Sequence, residues 1–200
     1  MAPSSKYPDD LRDRLVAAAL NRLRDHHPED MSLRDLAAEC GTSTNAIYSI
    51  FGGKTPLVTE VAERAKSELV GTLMAHTGTT GLEGLAMSGA VYRAWARAQP
   101  ALYRLVFSGE AGHGALRFGQ EDEGDLRSFL AELMADGVLR PTDPVALSAT
   151  LFSVLHGFVL LELDRWPDGD PEADALFNAM LGHLATGILS DASLAALGAA

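Results

Sequence analysis

Apolar positions along this chain recur at helical spacing almost from end to end, and no stretch alternates in the way a strand does. Leu11, Leu15, Val16, Ala19, Leu20 and Leu23 define one stripe and predict a helix over 9–25, stopped by Pro28. Ser32, with Asp35 three residues on, starts a second helix whose inward face is Leu33, Leu36 and Ala37. Gly41 then ends it, because glycine adopts the left-handed conformation that lets the next helix leave at a steep angle. Ser43 caps that next helix, which turns Ala46, Ile47, Ile50 and Phe51 inward and Thr44, Asn45, Tyr48 and Ser49 outward. A Thr55 cap with Pro56 at the first helical position predicts a long helix to about 76. Further helices are expected over 82–99, 100–107, 119–136, 143–165 and 171–190, with a mobile glycine-rich loop over 108–124 and a fraying tail. The fold class is therefore all-α.

The segment 143–165 is apolar nearly all round, which one buried face would not require. Such a helix is covered on two sides, and in a small bundle the second cover is often another subunit. Leu151, Leu155 and Phe158 on this helix, with Leu176, Met180, Leu184 and Ile188 on the next, are the expected interface of a homodimer.

A chain of 200 residues can bury a substantial core. Its formal charge of −11 looks wrong for a nucleic-acid binder, but the charge is uneven. Residues 1–57 carry 7 basic and 8 acidic side chains, whereas residues 58–200 carry 9 and 19. Cys40 is the single cysteine, so an internal disulfide is excluded, and a small buried residue between two helices is the expected role. No apolar run is expected to reach the roughly 20 residues of a membrane span, and the N-terminus lacks a signal-peptide core. A cytoplasmic protein with no membrane association is expected. Walker, dinucleotide-binding, nucleophile-elbow and HExxH motifs are absent, and the six histidines are scattered. No catalytic residue, metal site or cofactor is expected.

The stretch 31–57 resembles the helix-turn-helix of the tetracycline-repressor-like (TetR) family, through Gly41, Ser43, Ile47, Tyr48, Phe51 and Lys54. The later chain is similar to a C-terminal subtype marked by an aromatic-His-Gly (WHG-type) element, here Phe152, His156 and Gly157. That subtype also has a helix running into Pro100, Leu102, Tyr103 and Phe107; it usually carries Trp where this chain has Phe152. The resemblance implies a DNA-binding head over 1–55 and a helical ligand-binding and dimerisation domain over 56–200. It assigns Arg34, Ser43, Thr44, Asn45, Tyr48, Ser49 and Lys54 to double-stranded DNA, with Asn45 suited to adenine and Lys54 to phosphate. Arg12, Arg14, Arg22 and Arg24 lie outside the first stripe, where some are expected to touch phosphate. A dimer would read a palindromic operator with half-sites about one helical turn apart. It would be released from that operator by a small apolar effector, as a repressor. Met74, Tyr92, Trp95, Phe107, Phe118, Phe152 and His156 are the expected effector-binding residues, with Phe118 as a lid. The competing reading is a ligand-independent DNA binder, or a relative that acts through protein contacts alone.

Overall fold

The computed structural model describes residues 7–75, 81–107, 124–167 and 169–198. Among these residues the secondary structure is helical apart from turns and one isolated bridge. The order is α1 (Leu11–Leu23), a single 3-10 turn (Pro28–Asp30), α2 (Leu33–Glu39), α3 (Thr44–Phe51), α4 (Lys54–Met74) and α5 (Gly81–Ala98). There follow α6 (Pro100–Phe107), α7 (Gly124–Ala135), α8 (Pro144–Arg165), α9 (Pro171–Ile188) and α10 (Asp191–Gly198). The all-α expectation holds. The loop expected over 108–124, with its lid Phe118, lies outside the described residues except for Gly124.

The chain forms two compact units, Met1–Leu69 with Ala98–Leu116, and Val70–Arg97 with Arg117–Ala200. This grouping crosses the boundary expected at 55/56, because α4 stays with the first unit as far as Leu69 and α6 joins it. In the first unit the α1 stripe is buried at every expected position, and Leu36, Ala37, Ala46, Ile47, Leu57 and Val61 complete the core around it. Apolar burial of this kind supplies most of the favourable free energy of a helical domain.

The start of α4 differs from the sequence expectation. Thr55 is not its cap: the helix begins at Lys54, and the Leu57 amide already donates to the Gly53 carbonyl at 3.4 Å. Gly52, at φ 88°, ends α3 in the left-handed region, so only the two glycines Gly52 and Gly53 separate the helices and no room remains for a separate cap at Thr55. The tail differs too. Ser190 accepts a hydrogen bond from the Ser193 amide at 3.2 Å and starts α10, while Leu139 and Leu189 form an antiparallel bridge beneath it. Leu194 packs on a core of Leu130, Leu133, Leu139, Leu147 and Leu189, so the segment expected to fray is docked.

The second unit is held by a buried ion cluster that no sequence pattern announces. Arg93 on α5 grips Glu162 on α8 with two hydrogen bonds, at 2.8 and 2.5 Å, and reaches Asp174 on α9 at 2.7 Å. Glu162 is 1% exposed, and the Arg93 guanidinium lies 4.5 Å from the centre of the Phe177 ring. The hydrogen bond to Glu162 holds the arginine pKa above its usual value despite burial. Asp143 and Asp170 cap α8 and α9, with a proline at or next to the first helical residue in each.

The expectation about apolar runs is corrected by α8. It is long and apolar enough to cross a membrane by length and composition, because serine, threonine and histidine interrupt its pattern without adding charge before Glu162.

Removing Glu162 takes from the largely buried Arg93 its two-bonded carboxylate and leaves it Asp174 at the surface. Glu162→Ala should destabilise the chain by about 3–5 kcal/mol in urea unfolding, whereas Asp174→Ala, at a half-exposed carboxylate, should cost less than about 1 kcal/mol.

Candidate nucleic-acid interface

Two serines fix the frame of the helix-turn-helix. The Ser32 hydroxyl accepts from the Asp35 amide at 3.3 Å at the start of α2, and the Ser43 hydroxyl accepts from the Ala46 amide at 3.4 Å at the start of α3. Between them Gly41 sits at φ 63°, a conformation that costs other residues about 1 kcal/mol or more, and the Thr42 amide closes the turn on the Ala37 carbonyl at 2.8 Å. Ala46 and Ile47 are fully buried, and Ile50 is half-buried rather than sealed.

That packing sets the other edge of α3 outward. Asn45, Tyr48 and Ser49 are exposed and Thr44 is half-exposed. Tyr48 is 58% exposed, with the edge of its ring lying over Gly53, where an added Cβ would sit 3.6 Å from the ring. Arg34 projects from α2 into solvent, with no hydrogen bond or ion pair among the described residues. The Lys54 ammonium donates to the Glu29 carbonyl at 3.0 Å, which ties the start of α4 to the 3-10 turn.

The four arginines of α1 and its end each have partners within the protein. Arg12 pairs with Glu60 and donates to the Ile50 carbonyl at 3.3 Å, its guanidinium 4.9 Å from the centre of the Phe51 ring. Arg14 reaches Asp10 and donates to the Cys40 carbonyl at 2.7 Å. Arg22 pairs with Glu39 at 2.7 Å. Arg24 bonds both Gln99 and Glu68. Each acts as a staple between helices, which an outward position on a helical wheel cannot distinguish from a free cation. Cys40 is buried, its thiol donating weakly to the Arg14 carbonyl at 3.8 Å, and burial pushes its pKa up. That makes it a poor thiolate.

The residues expected to meet an effector divide between the units. Tyr92, Phe152 and His156 come together in the second: the Tyr92 hydroxyl lies 3.2 Å from His156 Nδ1, and the Phe152 ring stacks on the imidazole at 5.1 Å. Trp95 is buried in the same unit, one helical turn from Tyr92. Phe107 belongs to the first unit, where it packs on Tyr103 at 4.7 Å. Met74 closes α4, and Phe118 lies outside the described residues.

The expected dimer residues share the second unit's α8 and α9. Leu151 and Ile188 also pack on the leucine core, and Phe158 lies 5.4 Å from Phe177. Leu155, Met180 and Leu184 are half-buried, and Leu176 is 45% exposed. The pattern missed the most exposed large apolar side chain among the described residues, Leu161 at 68%, together with Val145 at 48%. An all-round apolar helix gives no phase from which to pick its free side.

Burial pushes the His156 pKa below its ordinary value. The unfolded chain therefore binds a proton at His156 more readily than the folded one, and stability falls as pH drops through the ordinary histidine range near 6.5. Urea midpoints at pH 7.5 and 5.5 should show this loss, and His156→Phe should reduce it; an unchanged pH difference would show that another group carries it.

Residues 15–61 match the model of the "Bacterial regulatory proteins, tetR family", and residues 85–184 match a "Tetracyclin repressor-like, C-terminal domain". The second match does not specify the aromatic-His-Gly subtype. No curated protein matches the chain. Among solved structures, a Rhodococcus sp. RHA1 protein of unknown function superposes with a TM-score of 0.73 at 23% identity, covering 95% of this chain and 100% of its own. A TetR-family transcriptional regulator from Pectobacterium atrosepticum gives a TM-score of 0.68 at 22% identity, over 88% of this chain and 91% of its own. The TetR-family regulator PfmR from Thermus thermophilus gives 0.60 at 22% identity, over 84% and 97%. At these identities the likeness concerns the fold.

Proposed function

We propose that this chain, which belongs to the TetR family of bacterial regulatory proteins and is thereby a DNA-binding transcriptional regulator, represses transcription as a homodimer on a palindromic operator and leaves it when a small apolar effector binds. The observation that carries the DNA-reading part is the polar edge of α3, with Asn45, Tyr48 and Ser49 exposed while Ala46 and Ile47 are sealed below. Asn45 is able to pair bidentately with adenine, Thr44 offers a hydroxyl and a methyl, and Arg34 has the fork geometry for guanine. Lys54 keeps two ammonium protons for phosphate after its bond to Glu29.

The dimer reading is supported by α8 and α9. Leu161, Leu176 and Val145 expose a large part of their apolar surface. Covering the part still exposed on each such side chain gains about 1–2 kcal/mol. In this reading a two-fold contact sets two heads at the spacing of successive major grooves. The effector reading rests on the Tyr92, Phe152 and His156 group, where one apolar ring packs against one polar pair. The effector must bind the DNA-competent and released arrangements with different affinity to shift their balance. The acidic body favours a neutral or cationic molecule.

Electrophoretic mobility of promoter fragments from the chain's own and neighbouring genes should fall on addition of the protein, and no shift at any salt would favour the protein-contact reading instead. Arg34→Ala should weaken binding about 10-fold or more and relax preference at one base pair; Lys54→Ala should weaken all sequences alike. In sedimentation, the wild-type chain should run as a dimer and Leu161→Arg as a folded monomer. A monomeric wild type at working concentration would remove the two-fold operator.

A further inference from the structure

The electrostatics of the head are unusual for a DNA-binding surface. Of its 7 basic side chains in residues 1–57, Arg12, Arg14, Arg22 and Arg24 are held by Glu60, Asp10, Glu39 and Glu68. Lys6 lies outside the described residues. Arg34 and Lys54 remain, the first exposed and unpaired among the described residues, the second bonded only to a neutral carbonyl. Arg64 is also exposed, but it stands ten residues beyond Lys54, about 15 Å along α4. Asp9, Asp13, Asp25, Glu29, Asp30 and Asp35 are exposed in the same head.

A paired arginine contributes little even if it swings to a phosphate. Its abandoned carboxylate would take up a cation from solution, cancelling the one released from DNA. Among the described residues of the head, the net release is thus set by the two cations without carboxylate partners.

We infer that each head neutralises about two phosphates, and that its affinity comes from base edges met by Thr44, Asn45 and Tyr48, so that the partner it fits is a particular duplex sequence and not the DNA backbone at large. This rests on the DNA-reading function proposed above and adds its mode. A backbone-driven binder gains affinity on any duplex, whereas this head has almost no field with which to hold the wrong one.

The test uses the full chain and a duplex enriched by it from a random-sequence library, with binding followed by fluorescence anisotropy across salt. The logarithm of the association constant should fall against the logarithm of salt with a slope of about −2 per protomer, near −4 for a dimer. Raising salt from about 50 to 200 mM should then weaken binding roughly 150-fold. A slope steeper than about −7 with intact binding would overturn the inference while leaving the DNA-reading function standing. The double variant Arg22→Ala with Glu39→Ala should leave the slope unchanged, and a loss of one unit or more per protomer would expose Arg22 as a phosphate ligand and overturn it as well. Failure to enrich any duplex would overturn both statements together.

Discussion

Everything the head can do depends on the left-handed turn at Gly41. It lets α3 leave α2 steeply enough for Ala46 and Ile47 to join Leu36 and Ala37 in one small core, and that core decides which edge of α3 faces water. A side chain at this position would oppose the turn with a steric cost of about 1 kcal/mol or more, a large share of what two short helices gain from each other. The serine caps refine the arrangement by satisfying one open amide at the start of each helix. Gly41 and the buried apolar residues act without meeting DNA. They decide whether a surface exists for Asn45 and Tyr48 to occupy.

The arginines show how charge serves framework and recognition at once. Arg12 joins α1 to the end of α3 and to α4, while Arg24 joins α1 to Glu68 and to Gln99, the residue before α6. Exposed pairs of this type contribute little individually, typically less than about 1 kcal/mol. Their greater effect is to fix the angles between short helices, and to withdraw positive charge from the field that approaching DNA would feel. The acid excess of the whole chain then needs no special compensation in the head.

How much of the fold is legible in the sequence follows from the range of each interaction. Apolar spacing, proline at helix starts, serine caps and glycine stops act within a few residues, so α1, α2, α3, α5, α6, α8 and α9 can be read within two residues of their ends. The start of α4 misleads because Thr55 and Pro56 form a good local cap signal, which the two glycines before them pre-empt. The order of α10 is hidden because it comes from Ser190 and from a bridge to Leu139, fifty residues away. Long-range polar pairs are invisible for the same reason. Arg93 and Glu162 are 69 residues apart, and neither sits in a local motif that demands a partner. The outward edge of α3 is legible in full; the partners of the outward arginines are not.

The two sides of α8 invert the usual order of a surface helix. Its inner side carries the Glu162 carboxylate gripped by Arg93, while the neighbouring Leu161 lies exposed. An amphipathic helix in a monomeric bundle would place these groups the other way round. A buried ion pair gives little net stability compared with packed apolar residues, but it tolerates few alternative geometries, because each hydrogen bond must be kept. Arg93 therefore fixes the position of α8 against α5 and, through Asp174, that of α9. An apolar surface held so firmly in place suits a partner of fixed shape better than one that must be moulded on contact, since the entropic cost of ordering it has been met within the folded chain. A second copy of the same chain presents such a shape, and a two-fold contact repeats every favourable pairing.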